Sequence, residues 1–558
     1  MENAHFDMSP LPDFEMPQVD LGISLGYNAA ANRQEVFLLP TDMRCGTLIE
    51  GVSGSGKSTL VKRMVRQKTN QGCALVVIDF HEDVAQDGIG SVPDNYMDRA
   101  YYIDFSDAEH LPVMNPLDVD VNDTLLVDRV IQECIQLLKH NVRTEFAAQR
   151  FDEMARLALK TILHPDFRYE RTWIHASALY TDEKFLTSVL ENIHDAQILA
   201  EWALVKRSRR DNDWDSCVHW FVSKFHELIS NTTLRFIFGS EKTTFDIEEL
   251  IDNESMLFFN IPESILGKSV AEFLASFIVL KIENVVMRRH SCRNIDLNNI
   301  YVFIDEFQKC ASADFALLLA EARKFCCCLV LSHQNLRQLV TFDERTGYQD
   351  NHLLEAVLGN IGTFICFRMG SNDAKVFADQ FDIDEKRLKH IKKYRPIVRC
   401  LFDNMPLDPI EVVIPNIVPL TEDNTSEIVR ERMVDEGICL PIMPTGSAGR
   451  KGTRSSKTKE NKRIAVKDIT VNDYYPPDLL LNEDDSKSLF NTRFEENLKT
   501  DKELQGHLKQ KSVGAPCPTI RDLNALFEEN QKEIAQRQLI LLLKEIERTK
   551  AREESPGL

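Results

Sequence analysis

Short, unbroken apolar runs separated by polar turns dominate the early part of the chain. CGTLIEG, CALVVIDF (Cys73–Phe80) and AYYIDF (Ala100–Phe105) have strand length and little internal alternation. Such runs suit strands of a parallel sheet covered on both faces. From 122 to 240 the pattern changes. Gly and Pro become sparse, and FDEMARLALKTIL and WFVSKFHELI show apolar residues at helical spacing, so this stretch is expected to be an all-α insertion. The runs then resume in MLFFNIP (Met256–Pro262), IYVFIDEF (Ile300–Phe307), CCLVLSH (Cys327–His333) and TFICFRMG (Thr363–Gly370), alternating with helical segments such as VAEFLASFIVLKIENVVMRR.

The predicted organisation is therefore an α/β core in two parts, 41–121 and 241–420, with the all-α domain at 122–240 between them. Residues 1–40 read as a lead-in with a short strand region at EVFLLP. Residues 421–520 read as a mostly disordered linker, polar and basic in GSAGRKGTRSSKTKENKR. A last segment, 521–552, carries an apolar face at helical spacing in LNALFEENQKEIAQRQLILLLKEIERTK. It is expected to dock as an amphipathic helix on this chain or on a protein partner.

Composition narrows the choices. The chain has 558 residues, 66 Lys plus Arg against 87 Asp plus Glu, and a formal charge of −21. That balance excludes a generally basic nucleic-acid coat and confines any such contact to a pore or an arm. The densest basic stretches before the tail, EKRLKHIKKYR (Glu385–Arg395) and LVKRSRR (Leu204–Arg210), read as solvated helix faces. The 13 cysteines form no CxxC pair, and three are consecutive in FCCCLVLSH. Reduced, buried thiols of a cytoplasmic protein are expected. The start, MENAHFDMSPLPDFEMP, is acidic and proline-rich, unlike a signal peptide. No uncharged apolar run has the length of a transmembrane helix.

One short segment then supplies chemistry. GVSGSGKST fits the phosphate-loop pattern GxxxxGK[ST] through Gly51, Gly56, Lys57 and Ser58. Glycines let backbone N–H groups of Gly51, Ser53, Gly54, Ser55, Gly56, Lys57, Ser58 and Thr59 turn toward phosphate oxygens, and the following helix adds its positive end. Lys57 would reach the β- and γ-phosphates of ATP, and Ser58 would bind Mg2+. An apolar strand before the loop and the helix STLVKRMVRQ after it are the required context.

NIYVFIDEFQKC adds a second element. Four apolar residues lead to Asp305, placing it at the carboxyl end of a buried strand. A carboxylate there can hold the Mg2+ through water, and Glu306 can orient and polarise an attacking water. CCLVLSHQ ends another buried strand, and the Gln334 amide at its tip can sense the γ-phosphate.

These blocks together resemble the HerA–FtsK superfamily of hexameric P-loop ATPases, in the branch of HerA-type helicases and the coupling ATPases of conjugation and type IV secretion. The resemblance runs from Leu21 to Val413 through TLIEGVSGSGKSTL, VVIDFHEDVA, YYIDFSDAEHLPVMNPLD, LRFIFGSEKTTFDIEELIDNESMLFFNIP, FIDEFQKC, EARKFCCCLVLSHQ and LGNIGTFICFRMGSNDAKVFADQF, in the family's order. Phe80 and Glu82 depart from the family's usual Pro and Gly. The resemblance implies a RecA-like core, a homohexamer, and hydrolysis coupled to movement of DNA through a central channel. It also implies that Arg323, in EARKF, reaches a neighbouring subunit's nucleotide, where a helix-end arginine paired with Glu321 is the ordinary alternative. Arg368 and Asp79 match family positions near the site. Membrane-bound coupling proteins usually begin with transmembrane helices, which this sequence lacks. Two other uses of the same engine stay open: a protein or nucleoprotein pump, and a nucleotide-dependent switch with little turnover. His81, His110 and His333 have no partners at metal-ligand spacing, so no zinc site is expected.

Overall fold

The computed structural model describes residues 20–442, apart from 31–33, 140–144, 209–216, 220, 224, 226–229, 290–296, 312–314, 343–348 and 421–423. All of these lie within one unit, Met1–Tyr474. The expected lead-in up to 19, the linker beyond 442 and the amphipathic segment 521–552 lie outside the described residues.

The described residues build one sheet of 11 strands. In chain order they are β1 (Ile23–Asn28), β2 (Glu35–Leu38), β3 (Thr47–Glu50), β4 (Ala74–Asp79), β5 (Ala100–Asp104), β6 (Met256–Asn260), β7 (Ile300–Ile304), β8 (Cys327–His333), β9 (Thr363–Cys366), β10 (Ile397–Arg399) and β11 (Ile410–Val413). Their spatial order is β2-β1-β11-β10-β9-β3-β8-β7-β4-β6-β5. From β9 to β5 neighbours run parallel. From β9 back to β2 they run antiparallel. In β3, β4, β6, β7, β8 and β9 every residue is buried, as uninterrupted apolar runs require when helices cover both faces.

The P-loop strand β3 lies between β9 and β8, and β7 flanks β8 on the far side. Their carboxyl ends form one edge. The turns leaving β3, β8 and β7 therefore meet there, the place where open parallel sheets bind ligands.

Between β5 and β6, helices fill most of the chain, including Thr124–Lys139, Glu145–Ile162, Ile174–Thr181, Glu183–Leu190, Ala196–Ser208 and Thr232–Gly239. An aromatic core holds this part, with Trp173 stacked on Phe238 at 6.1 Å and edge-on to Phe273 at 6.2 Å. The buried Trp202 Nε1–H donates to Thr161 Oγ1 at 2.9 Å. Asn115 joins the way in to the way out, because its Nδ2 donates to Arg171 O at 2.7 Å and to Glu241 O at 3.1 Å. The apolar helix Lys268–Arg288 follows β6 and is largely buried. Among the described residues no helix is long and apolar enough to cross a membrane.

Two boundaries differ from the sequence reading. β1 and β2 belong to the core sheet, so the core begins inside the stretch taken as a lead-in. The structure also has order inside the expected linker: a helix at Thr425–Asp435 and a strand at Cys439–Pro441 that pairs with His110–Pro112. Its apolar content is small, but Val429 and Met433 are buried. Polar links assist: Arg430 pairs with Asp107, and Arg432 Nη2 donates to Ala100 O at 2.5 Å.

Candidate nucleotide site

After β3 the backbone turns through Gly51–Gly56 into the helix Lys57–Asn70. Two glycines are sterically required. Gly51 has φ +153, and a Cβ there would stand 2.6 Å from Phe367 Cβ. Gly56 has φ +117, and its Cβ would stand 2.8 Å from Tyr394 Cδ1. Left-handed backbone with no room for a side chain admits only glycine. Lys57, 7% exposed, folds back to donate to Gly51 O at 2.6 Å. Burial lowers its pKa, while the charges of Glu306, Asp305 and Glu50 oppose that. Among the described residues the buried Ser55 hydroxyl has no hydrogen-bond partner. A loop whose lysine turns onto its own carbonyl and whose buried hydroxyl lacks a partner has donors to offer an anion.

Asp305 and Glu306 follow β7 and are each 5% exposed. Burial pushes the Asp305 carboxyl up, with Asp79 and Glu306 adding to the shift against the Ser332 hydroxyl and Lys57. A buried carboxylate surrounded by more acid than base is suited to a cation. Asp305 beside the P-loop therefore fits the Mg2+ that a bound triphosphate carries. Glu306 sits at φ +54, in the left-handed region that non-glycine residues rarely occupy. Both its oxygens accept from amides: Gln334 Nε2 at 2.7 Å and Gln308 Nε2 at 2.6 Å. Lys57, Asp305, Glu306 and Gln334 thus meet at one edge of the sheet.

Arg323 lies elsewhere. It precedes β8, whereas Gln334 follows it, so the two are at opposite ends of a seven-residue strand, roughly 20 Å apart at about 3.3 Å per residue. Glu321 pairs with Lys324. Arg323 instead donates to Asn404 Oδ1 at 2.9 Å. Asn404 caps the hairpin Leu401–Phe402/Met405–Pro406, whose turn N–H groups at Asp403 and Asn404 donate to Asp42.

The other named positions resolve more simply. Asp79 accepts from the N–H groups of His81, Val84 and Ala85, so it caps the helix Asp83–Ile89. Arg368 meets the P-loop through its backbone, its carbonyl accepting from Val52 N–H at 2.9 Å. His333 Nε2 lies 2.6 Å from Glu50 Oε2, both side chains fully buried. Glu50 was not foreseen, although it stands directly before Gly51 and opposite His333 in the β3–β8 register. Asp373 lies beside it and is pushed up to about 6, first by burial and then by the Glu50 charge. The basic stretch 385–395 also departs from a solvated helix face. Its helix covers only Glu385–Lys389, and Tyr394 packs on the P-loop, its N–H donating to Ser55 O.

Comparison with known proteins bears on this arrangement. Residues 35–386 match the model of the type IV secretion-system coupling protein DNA-binding domain. The chain belongs to that family. This places it in the coupling-ATPase branch of the HerA–FtsK superfamily, as its motifs imply. No curated protein matches its sequence. Among solved structures, VirB4 of Thermoanaerobacter pseudethanolicus is similar at 13% identity and TM-score 0.47, over 71% of this chain and 97% of that one. The bacterial conjugative coupling protein TrwBdeltaN70 is similar at 14% and 0.48, over 73% and 92%. Plasmid coupling protein TrwB in complex with ADP and Mg2+ is similar at 15% and 0.49, over 69% and 88%.

Proposed function

We propose that this coupling-protein relative is an ATP-hydrolysing motor that works as a ring of identical subunits and moves DNA. The observation that carries the reading is the meeting of Lys57, Asp305, Glu306 and Gln334 at the ends of β3, β7 and β8, with Arg323 displaced to the opposite end of β8. The backbone N–H groups from Gly51 to Thr59 would hold the phosphates, and Lys57 would leave Gly51 O for the β- and γ-phosphates. Ser58 and Asp305 would hold Mg2+, which when bound neutralises phosphate charge and orients the chain of phosphates.

The resting arrangement of Glu306 bears on turnover. With Gln334 and Gln308 each donating to one of its oxygens, two of the carboxylate's roughly four acceptor sites are taken, the one on Oε1 by the amide at the tip of β8. A γ-phosphate oxygen that draws the Gln334 amide away would free Oε1 at the moment a water has something to attack. Gln334 is then both sensor and gate. Arg323 cannot reach its own P-loop across the sheet, so a role at phosphate requires a neighbouring subunit. The surface beside it supports such a neighbour, since Phe402 and Met405 are 58% and 68% exposed on the Asn404 hairpin.

The deciding experiment is steady-state ATPase with and without DNA over a range of salt. Turnover should rise with DNA, and the stimulation should fade as salt increases, because phosphate contacts release counterions. Stimulation by an unfolded polypeptide and not by DNA would replace this reading with a protein pump. Turnover near zero in the assembled protein would replace it with a switch.

A further inference from the structure

Tyr394 is held on the P-loop with unusual constraint. Its N–H donates to Ser55 O at 3.2 Å and its carbonyl accepts from Ile414 N–H at 2.9 Å. Its φ is +61, a conformation that costs a bulky aromatic residue free energy unless the surroundings impose it. The ring edge lies where a Gly56 side chain would have been. The Lys393 ammonium lies over one face of the ring, 4.7 Å from its centroid. Beyond Thr59 and Tyr394 opens a groove of about 1140 Å³, also lined by Lys62, His81, Asn416 and Ile417.

Thr59 ends the run of residues whose N–H groups face phosphates. Lys57 serves the terminal phosphates, so the chain of phosphates leads from it toward Thr59, and the nucleoside leaves the loop beside Tyr394. We propose that Tyr394 is the platform on which the base of the bound nucleoside triphosphate stacks, with the groove beyond it housing the nucleoside. An aromatic platform reads a π-face and not a hydrogen-bonding edge, so both purine triphosphates should use it. The inference rests on the P-loop reading above and deepens it.

The test compares ATP, GTP and inorganic tripolyphosphate, each with Mg2+, by titration calorimetry or competition. Tripolyphosphate probes the loop without a base. Tyr394→Ala should bind ATP and GTP roughly 5- to 100-fold more weakly, the range for loss of one base–aromatic stack, and should bind tripolyphosphate as the wild type does. Tyr394→Phe should keep the wild-type affinities for all three. Tyr394→Leu keeps apolar contact with Gly56 without a ring, and it should show the same base-selective loss as the alanine variant. Equal weakening of tripolyphosphate and ATP would overturn the proposal, because Tyr394 would then only prop the loop. Unchanged ATP affinity in Tyr394→Ala would also overturn it. Failure of the underlying reading looks different: Lys57→Ala would keep wild-type affinity for tripolyphosphate and ATP alike.

Discussion

Replacing Asp373 by asparagine should stabilise the protein near neutral pH. The carboxyl sits in the first turn of the helix Ser371–Phe381, 8% exposed and facing Glu50. Burial and the Glu50 charge raise its pKa from 3.8 to about 6, while the Leu336 N–H and His333 pull the other way. Between those two values the folded protein binds a proton that the unfolded chain has released. Stability from this group is therefore present at low pH and lost as pH climbs through about 6. The shift of about two units sets a ceiling near 3 kcal/mol on the cost of ionising Asp373 in the fold. Asparagine keeps an oxygen for Leu336 N–H and an N–H for Glu50, and never ionises. The expected gain is about 1–3 kcal/mol at about pH 8, falling by roughly half at about pH 5, where the folded carboxyl still keeps its proton and so avoids the full cost of ionising in the fold. Urea unfolding of both proteins at the two pH values measures it through the midpoints, provided the slopes match. An equal gain at both pH values would refute the argument, as would a loss at the higher one.

Other consequences concern the chemistry. Lys57→Ala should abolish ATP binding measured by calorimetry, since no second described cation contacts the loop's interior as Lys57 does. Glu306→Gln should keep ATP affinity and assembly but lose about 10²-fold or more in turnover, the usual worth of a general base; loss under about tenfold would place water activation elsewhere. Arg323→Ala should bind ATP normally and turn over on the order of 10³-fold more slowly. Mixing it with Lys57→Ala subunits should restore part of the rate, because some interfaces then pair an intact loop with an intact arginine. Mixed assemblies without recovery would refute a shared site.

The parallel core was legible because its strands are buried on both faces and so carry no polar alternation to confuse the pattern. TLIE, ALVVID, IYVFI and CCLVLSH are strands in the structure at the places their runs suggested. β1 was not legible. Gly22 precedes it and Gly26 interrupts it, and its partner β11 is supplied from the far end of the core, with Tyr27 opposite Val413. The helix at Thr425–Asp435 escaped for a related reason. It buries two apolar side chains and relies on arginines whose acceptors lie more than 300 residues earlier. The phosphate-loop pattern was legible because its chemistry is local: a turn of glycines, then a lysine, then a hydroxyl. Gln308 is local to Glu306, two residues on, whereas Glu50 and Tyr394 act through register and packing. Glu50 stands directly before the loop, but only the β3–β8 register shows its buried pairing with His333.

β8 makes the same point in the other direction. The single segment EARKFCCCLVLSHQ contains both Arg323 and Gln334, and a motif reading places both at a nucleotide. Geometry allows that only if the nucleotides differ. An extended strand has no slack: seven buried residues hold its ends a fixed distance apart, between β3 and β7 on either side. Gln334 reaches Glu306 of its own chain. Arg323 is turned to the Asn404 hairpin, whose exposed Phe402 and Met405 have no cover within the described residues. On the proposed reading the strand spans one subunit from its own site to its neighbour's, so a displacement of Gln334 by a γ-phosphate is carried by a stiff element toward the arginine that serves the next site.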